Sequence, residues 1–160
     1  MKQLLLLIII IINQNLVYSN DIPYQLRDIG IENSINSKID KDIIFSDEFD
    51  NEINLLDLIN NQPTIINFVY LNCPLLCHLL LDGLVDVSNR SSYEIGKDYQ
   101  IISISIDPKE TNKNLSDYKK KYLNIVQKNN GWLFLKGKKD AINAITKQFG
   151  YKYKYIKRTK

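Results

Sequence analysis

Two stretches, Thr64 to Leu71 (TIINFVYL) and Gln100 to Ile106 (QIISISI), constrain this chain more than any others in it. A strand with one face in water alternates apolar and polar residues, whereas one covered on both faces reads as a nearly unbroken apolar run. Both stretches are rich in β-branched residues and the first is apolar on both faces, so each is predicted to be a buried strand, the first a central parallel one. Pro63 precedes the first, and Asp107-Pro108 ends the second.

The segments around them alternate with helical patterns. A helix is predicted from about Leu76 to Ser88 and another over Asn114 to Val126, where Leu115, Tyr118, Tyr122 and Ile125 recur at helical spacing. Trp132 to Leu135 reads as a third strand, and Asp140 to Phe149 as a helix closed by Gly150. Tyr151 to Ile156 (YKYKYI) alternates with period two and begins a strand. Upstream, Ile43 to Ser46 and Glu52 to Leu55 flank Asp47-Glu48-Phe49-Asp50-Asn51, a β-hairpin pattern, and Leu55 to Ile59 suits one helical turn. Strands alternating with helices after a hairpin indicate an α/β fold with a mixed sheet.

The length of 160 residues allows one ordinary domain and a short targeting segment. Lys2 followed by the apolar run Leu4 to Ile12, polar Asn13-Gln14-Asn15 and small Ser19 has the order of a secretory signal peptide cleaved after Ser19. Nine apolar residues are too few to cross a hydrocarbon core of roughly 30 Å. Export to the periplasm or the outer face of an inner membrane is therefore expected, with residues 1–19 as signal or, uncleaved, as a membrane anchor. Residues 20–40 read as a linker. At 44% hydrophobic and 24% charged, the chain is neither disordered nor a multi-span membrane protein. Only basic charges follow Asp140, but export and the lack of a basic, aromatic-studded face argue against nucleic acid.

Both cysteines, Cys73 and Cys77, fall where the first buried strand ends and the following helix begins. The helix N-terminus offers backbone N–H groups and a dipole that stabilise a thiolate and lower its pKa. Two thiolates on a short turn can hold a soft ion such as Cu(I), cycle between dithiol and disulfide, or close a structural bridge. So small a disulfide loop removes little entropy from the unfolded chain, which favours a functional site.

The run Asn67-Phe68-Val69-Tyr70-Leu71-Asn72-Cys73-Pro74-Leu75-Leu76-Cys77, with Leu80 and Asp82-Gly83-Leu84 after it, resembles the cysteine region of the Sco/SenC family. The resemblance continues through Ser103-Ile104-Ser105-Ile106-Asp107-Pro108-Lys109-Glu110-Thr111, Lys119 to Leu123, Gly131 to Leu135 and Phe149 to Tyr153. It implies a thioredoxin-like fold over residues 41–160 and a copper chaperone that serves the copper-site subunit of cytochrome c oxidase or another copper protein. By that resemblance Cys73 and Cys77 are the copper-ligating or redox-active pair, and Asp107 belongs to a loop facing them. The family's third ligand is a histidine beyond the last matching segment, so the resemblance also implies incomplete C-terminal strands and helix. That leaves Tyr151 to Ile156 as an unpaired or poorly paired edge. The alternatives are a thiol–disulfide oxidoreductase that keeps such copper-protein cysteines reduced, and an inactive truncated fragment.

Other residues are weighed on chemistry alone. His78 is the only histidine; a helix turns about 100° per residue, so its ring is expected to point away from the face carrying Cys77, as a surface residue or one that modulates the thiol pKa. It joins the cysteines on a metal only if the first helical turn is irregular. Asp82 and Asp86 suit a solvated helix face, Asp107 suits a loop cap as well as a site, and Tyr70 is expected to pack beside the cysteines.

Overall fold

A computed structural model describes residues 26–34, 38–59, 62–73, 76–126 and 131–154, so the predicted signal 1–19 lies outside the described residues. The elements are β1 (Gly30–Ile31), β2 (Ile44–Ser46), β3 (Glu52–Asn54), α1 (Leu55–Ile59), β4 (Thr64–Val69), α2 (Leu76–Arg90), β5 (Gln100–Ser105), α3 (Asn112–Leu123), β6 (Trp132–Leu135), α4 (Lys139–Gln148) and β7 (Tyr151–Lys152). They fall into two compact units. One is Ile31–Tyr151, which holds the sheet and helices; in the other, Lys154 pairs with Asp28 at 2.5 Å. Among the described residues no helix is long and apolar enough to cross a membrane.

β4, β5 and β6 form a parallel sheet in that order, with Ile66 opposite Ile102 and Ile101 opposite Trp132. Its interior strand is β5, all six of whose residues are buried. β4 lies at an edge of this sheet rather than in its centre, and Ile65 stays 43% exposed. The continuous apolar run reflects helices above and below β4, a separate matter from whether strands pair on both sides of it.

Alternation along the strands divides the core. Val69, Ile101, Trp132 and Phe134 face α2 and α3, meeting Leu81, Val85, Leu115 and Tyr122 in one buried cluster. The opposite parity presents Phe68, Ile102, Ile104 and Leu135, and the Phe149 ring after α4 meets Phe68 edge-on at 6.0 Å. The hairpin β2–β3 is antiparallel as predicted, its turn held by Asp47 Oδ1, which accepts the N–H groups of Phe49 and Asn51 at 2.9 Å each. Ser46 and Lys136 exchange backbone hydrogen bonds at 2.8 and 2.9 Å, which ties the hairpin to the end of β6. The central sheet is thus wholly parallel, and the antiparallel pairing expected within it sits in this bridge and in the hairpin.

α3 begins two residues before its predicted start because Thr111 caps it, its hydroxyl accepting the Asn114 N–H at 3.1 Å. Ile125, expected on the buried stripe, lies past the helix end and is 49% exposed. β7, expected as an unpaired or poorly paired edge, pairs over two residues with β1 in a two-stranded sheet, and the Glu32 N–H donates to the Gly150 carbonyl at 2.8 Å. The pairing residue came from a segment too polar to show strand periodicity. Gly150 itself sits at φ +63, and a Cβ there would overlap the Glu32 carbonyl oxygen. Gly150→Ala is therefore expected to lower unfolding free energy by about 1–3 kcal/mol. A urea midpoint unchanged from wild type would show that the Glu32 contact does not form in solution.

Candidate metal centre

The turn after β4 brings the cysteines together. The Cys73 N–H donates to the Tyr70 carbonyl at 3.0 Å, reversing the chain as it leaves the strand. The Tyr70 N–H in turn donates to Cys77 Sγ at 3.4 Å, so Tyr70 contacts the pair through its backbone. Neither cysteine is in a disulfide, and both are half-buried. Leu76, Leu79 and Leu80 stand exposed on the first turns of α2 beside them.

Burial pushes the Cys77 thiol above its ordinary pKa, despite the Tyr70 N–H that favours the thiolate; a hydrogen bond and charge repulsion from Cys73 push the same way. The lowered pKa expected from the helix N-terminus is not found at Cys77, because desolvation outweighs the backbone donor. Two adjacent thiols suit a soft monovalent ion, to which they would offer a pair of sulfur donors. Among the described residues no set of three His, Cys, Asp or Glu side chains is gathered closely enough to hold a metal ion.

His78 is half-buried against side chains of α3 and does not lie free at the surface. Its ring stacks on Tyr118 with centroids 5.3 Å apart, Nε2 lies 3.1 Å from the Tyr118 hydroxyl, and Nδ1 lies 3.3 Å from both the Tyr122 hydroxyl and Lys121 Nζ. α2 runs as an α-helix from Leu76, so His78 lies in its first turn. Asp107 caps its own loop, Oδ1 accepting the Lys109 N–H at 2.9 Å.

Sequence reasoning passed over three nearby residues. Glu110 is only 8% exposed and accepts from the Ser105 hydroxyl at 3.0 Å, the Thr111 N–H at 3.2 Å and the Asn114 amide at 2.9 Å. The Asn114 amide also reaches Asn72 Oδ1, beside Cys73, at 3.4 Å. Tyr118 hydrogen-bonds the Leu71 carbonyl, and its hydroxyl pKa is raised first by burial and then by both cysteines and Glu110. Tyr151 is raised by burial and by Cys77. The signal for Tyr118 lay in the i, i+4, i+8 spacing of Asn114, Tyr118 and Tyr122, three polar-tipped side chains along α3.

A family model described as SCO1/SenC matches residues 35–160. No curated protein matches the chain. Among solved structures, the chain resembles a candidate electron transfer protein from Aquifex aeolicus VF5, with 24% identity, 77% of this chain and 70% of that one covered, and a TM-score of 0.66. Yeast Sco1 with copper bound is 26% identical, with 74% of this chain and 62% of that one covered and a TM-score of 0.57. BsSco, a member of the Sco family of cytochrome c oxidase assembly proteins in which a disulfide switch was identified, is 22% identical, with 74% and 67% covered and a TM-score of 0.55.

Proposed function

This chain belongs to the SCO1/SenC family, and we propose that it binds copper through the thiolates of Cys73 and Cys77 and passes the ion to the copper site of a respiratory oxidase on the outer side of a membrane. The observation that carries the reading is the pairing of the two half-buried sulfurs, one of which also receives the Tyr70 N–H. Copper is cargo here, and what this chain contributes is the donor pair and its surroundings. The Tyr70 N–H orients Cys77 Sγ, the exposed leucines leave one side of the pair open to a partner, and Glu110 and Asn114 brace the Cys73 side through Asn72. The N-terminal apolar run supports export of the domain.

A titration of the reduced chain with Cu(I) against a competing chelator tests this. One equivalent per chain is expected, with affinity falling more than about 100-fold in Cys73→Ser, because one soft sulfur donor is replaced by a hard oxygen. Absence of stoichiometric binding by wild type would overturn the reading. The second reading, thiol–disulfide exchange with a partner protein, is favoured by two half-buried thiols outside any disulfide at one strand-to-helix turn. It predicts rapid reduction of a model protein disulfide by a chain that takes up no copper.

A further inference from the structure

One side chain outside the cysteine motif holds it from both ends. The Tyr118 hydroxyl donates to the carbonyl of Leu71, two residues before Cys73. The same oxygen lies 3.1 Å from Nε2 of His78, the residue after Cys77. A phenol has one proton, and here Leu71 takes it, so toward His78 the Tyr118 oxygen can only accept. That assigns the His78 proton to Nε2 and leaves Nδ1 to accept from Lys121 Nζ at 3.3 Å. Stacking of the two rings at an interplanar angle of 15° fixes the contact laterally.

Closing Cys73 and Cys77 to a disulfide demands an S–S bond of about 2.05 Å and Cβ atoms roughly 3.5–4.5 Å apart. In the dithiol, Cys77 Sγ accepts the Tyr70 N–H, and closure to that geometry draws on the freedom of the backbone on either side of the motif. Those flanks are the ones Tyr118 ties down. We propose that Tyr118 is a positioning residue for this pair: by joining the strand end before Cys73 to the helical turn after Cys77, its hydroxyl holds the sulfurs in the open dithiol arrangement that receives a metal ion and opposes disulfide closure. The metal half of this inference rests on the copper reading above, whereas the disulfide half does not.

The test measures the 160-residue chain and its Tyr118→Phe, His78→Ala and doubly substituted variants. The first readout is equilibrium with glutathione. Cys73 and Cys77 give two electrons and two protons to one oxidised glutathione, whose S–S bond breaks to two glutathione thiols as the Cys73–Cys77 bond forms. The second readout is Cu(I) affinity. Tyr118→Phe is expected to favour the disulfide and to weaken Cu(I) binding, each by about tenfold. His78→Ala should act in the same direction, and the double variant should fall well short of the product of the two, since both remove one clamp. Ile145→Val, a fully buried change on α4, controls for general loosening and should leave both readouts unmoved.

A glutathione equilibrium in Tyr118→Phe within about twofold of wild type would overturn the clamp, as would an equal shift in Ile145→Val. If wild type takes no Cu(I) yet Tyr118→Phe still shifts toward the disulfide, the copper reading falls and the clamp stands. If wild type binds Cu(I) and Tyr118→Phe moves neither readout, the clamp falls and the copper reading stands.

Discussion

Trp132→Ala is expected to lower the free energy of unfolding by about 3–5 kcal/mol, a large part of what holds a single domain folded. Trp132 opens β6, is 2% exposed, and pairs in register with Ile101 on the central strand. Its ring lies 5.9 Å from Tyr122 and 5.6 Å from Phe134, so truncation leaves a cavity bounded by two other rings that cannot close over it. It also removes the indole N–H that donates to the buried Ser103 hydroxyl at 2.9 Å. Trp132→Phe keeps most of the ring stack and loses mainly that hydrogen bond, for an expected loss of about 1–2 kcal/mol. Urea denaturation of the three proteins separates the packing part from the polar part. The effect should also reach the cysteines. Tyr122 packs on Trp132 and approaches His78, so Cys77 is expected to react faster with iodoacetamide in Trp132→Ala than in Trp132→Phe. A loss below about 1 kcal/mol in Trp132→Ala would mean that α3 can collapse onto the sheet, and that the packing described here is softer than its burial implies.

What could be read in the residues follows from how local each signal is. Trp132 to Leu135 and the hairpin flanking Asp47 were legible because hydrophobic alternation and turn chemistry act over a few residues, and the structure places them where the pattern predicts. The position of β4 was not, since Ile65, Ile66, Phe68 and Val69 would look the same in a central strand and in an edge strand sandwiched by helices. Strand order is decided by crossovers, and here α2 and α3 carry the chain stepwise from β4 to β5 to β6. The pairing of β7 with β1 was equally hidden, because Gly30 and Ile31 carry no periodicity to announce a strand. At the site, the cysteine pair was legible from its spacing and from its place at the strand-to-helix turn. The thiol pKa was misjudged because helix position is a sequence property whereas desolvation of Cys77 depends on packing. The burial of His78 was not legible, because it depends on Tyr118 and Tyr122 of α3 standing opposite.

Stability is expected to fall as pH rises above about 9, and Tyr122 is expected to account for the largest single share. Cys77, Tyr118, Tyr122 and Tyr151 all have pKa values raised in the fold, each with burial as the first cause. For a group raised in the folded state, its contribution is fully present while both states are protonated. It is then lost as the unfolded chain gives up its proton first. The unfolded values are 9.0 for the thiol and 10.0 for the phenols, so the loss begins near the first and runs beyond the second. Tyr122 is pushed up to about 12 by burial, then by the charge of Asp82, and its side chain is fully enclosed. At pH 11 that difference corresponds to a loss of about 1–1.5 kcal/mol, rising toward about 2–3 kcal/mol at higher pH. Urea midpoints of wild type and Tyr122→Phe at pH 8 and pH 11 measure it. The variant starts lower, because it lacks the hydroxyl that meets Asp82 and approaches His78, but it should lose less between the two pH values. Exposed lysine pairs such as Lys113 with Asp117 weaken in the same range in both proteins, so the difference between their slopes isolates Tyr122. Equal slopes would mean that the Tyr122 hydroxyl already reaches water in the folded chain. The seam between α2 and α3 would then be open beside His78, and the enclosure that raises the Cys77 thiol would have to come from the sheet side alone.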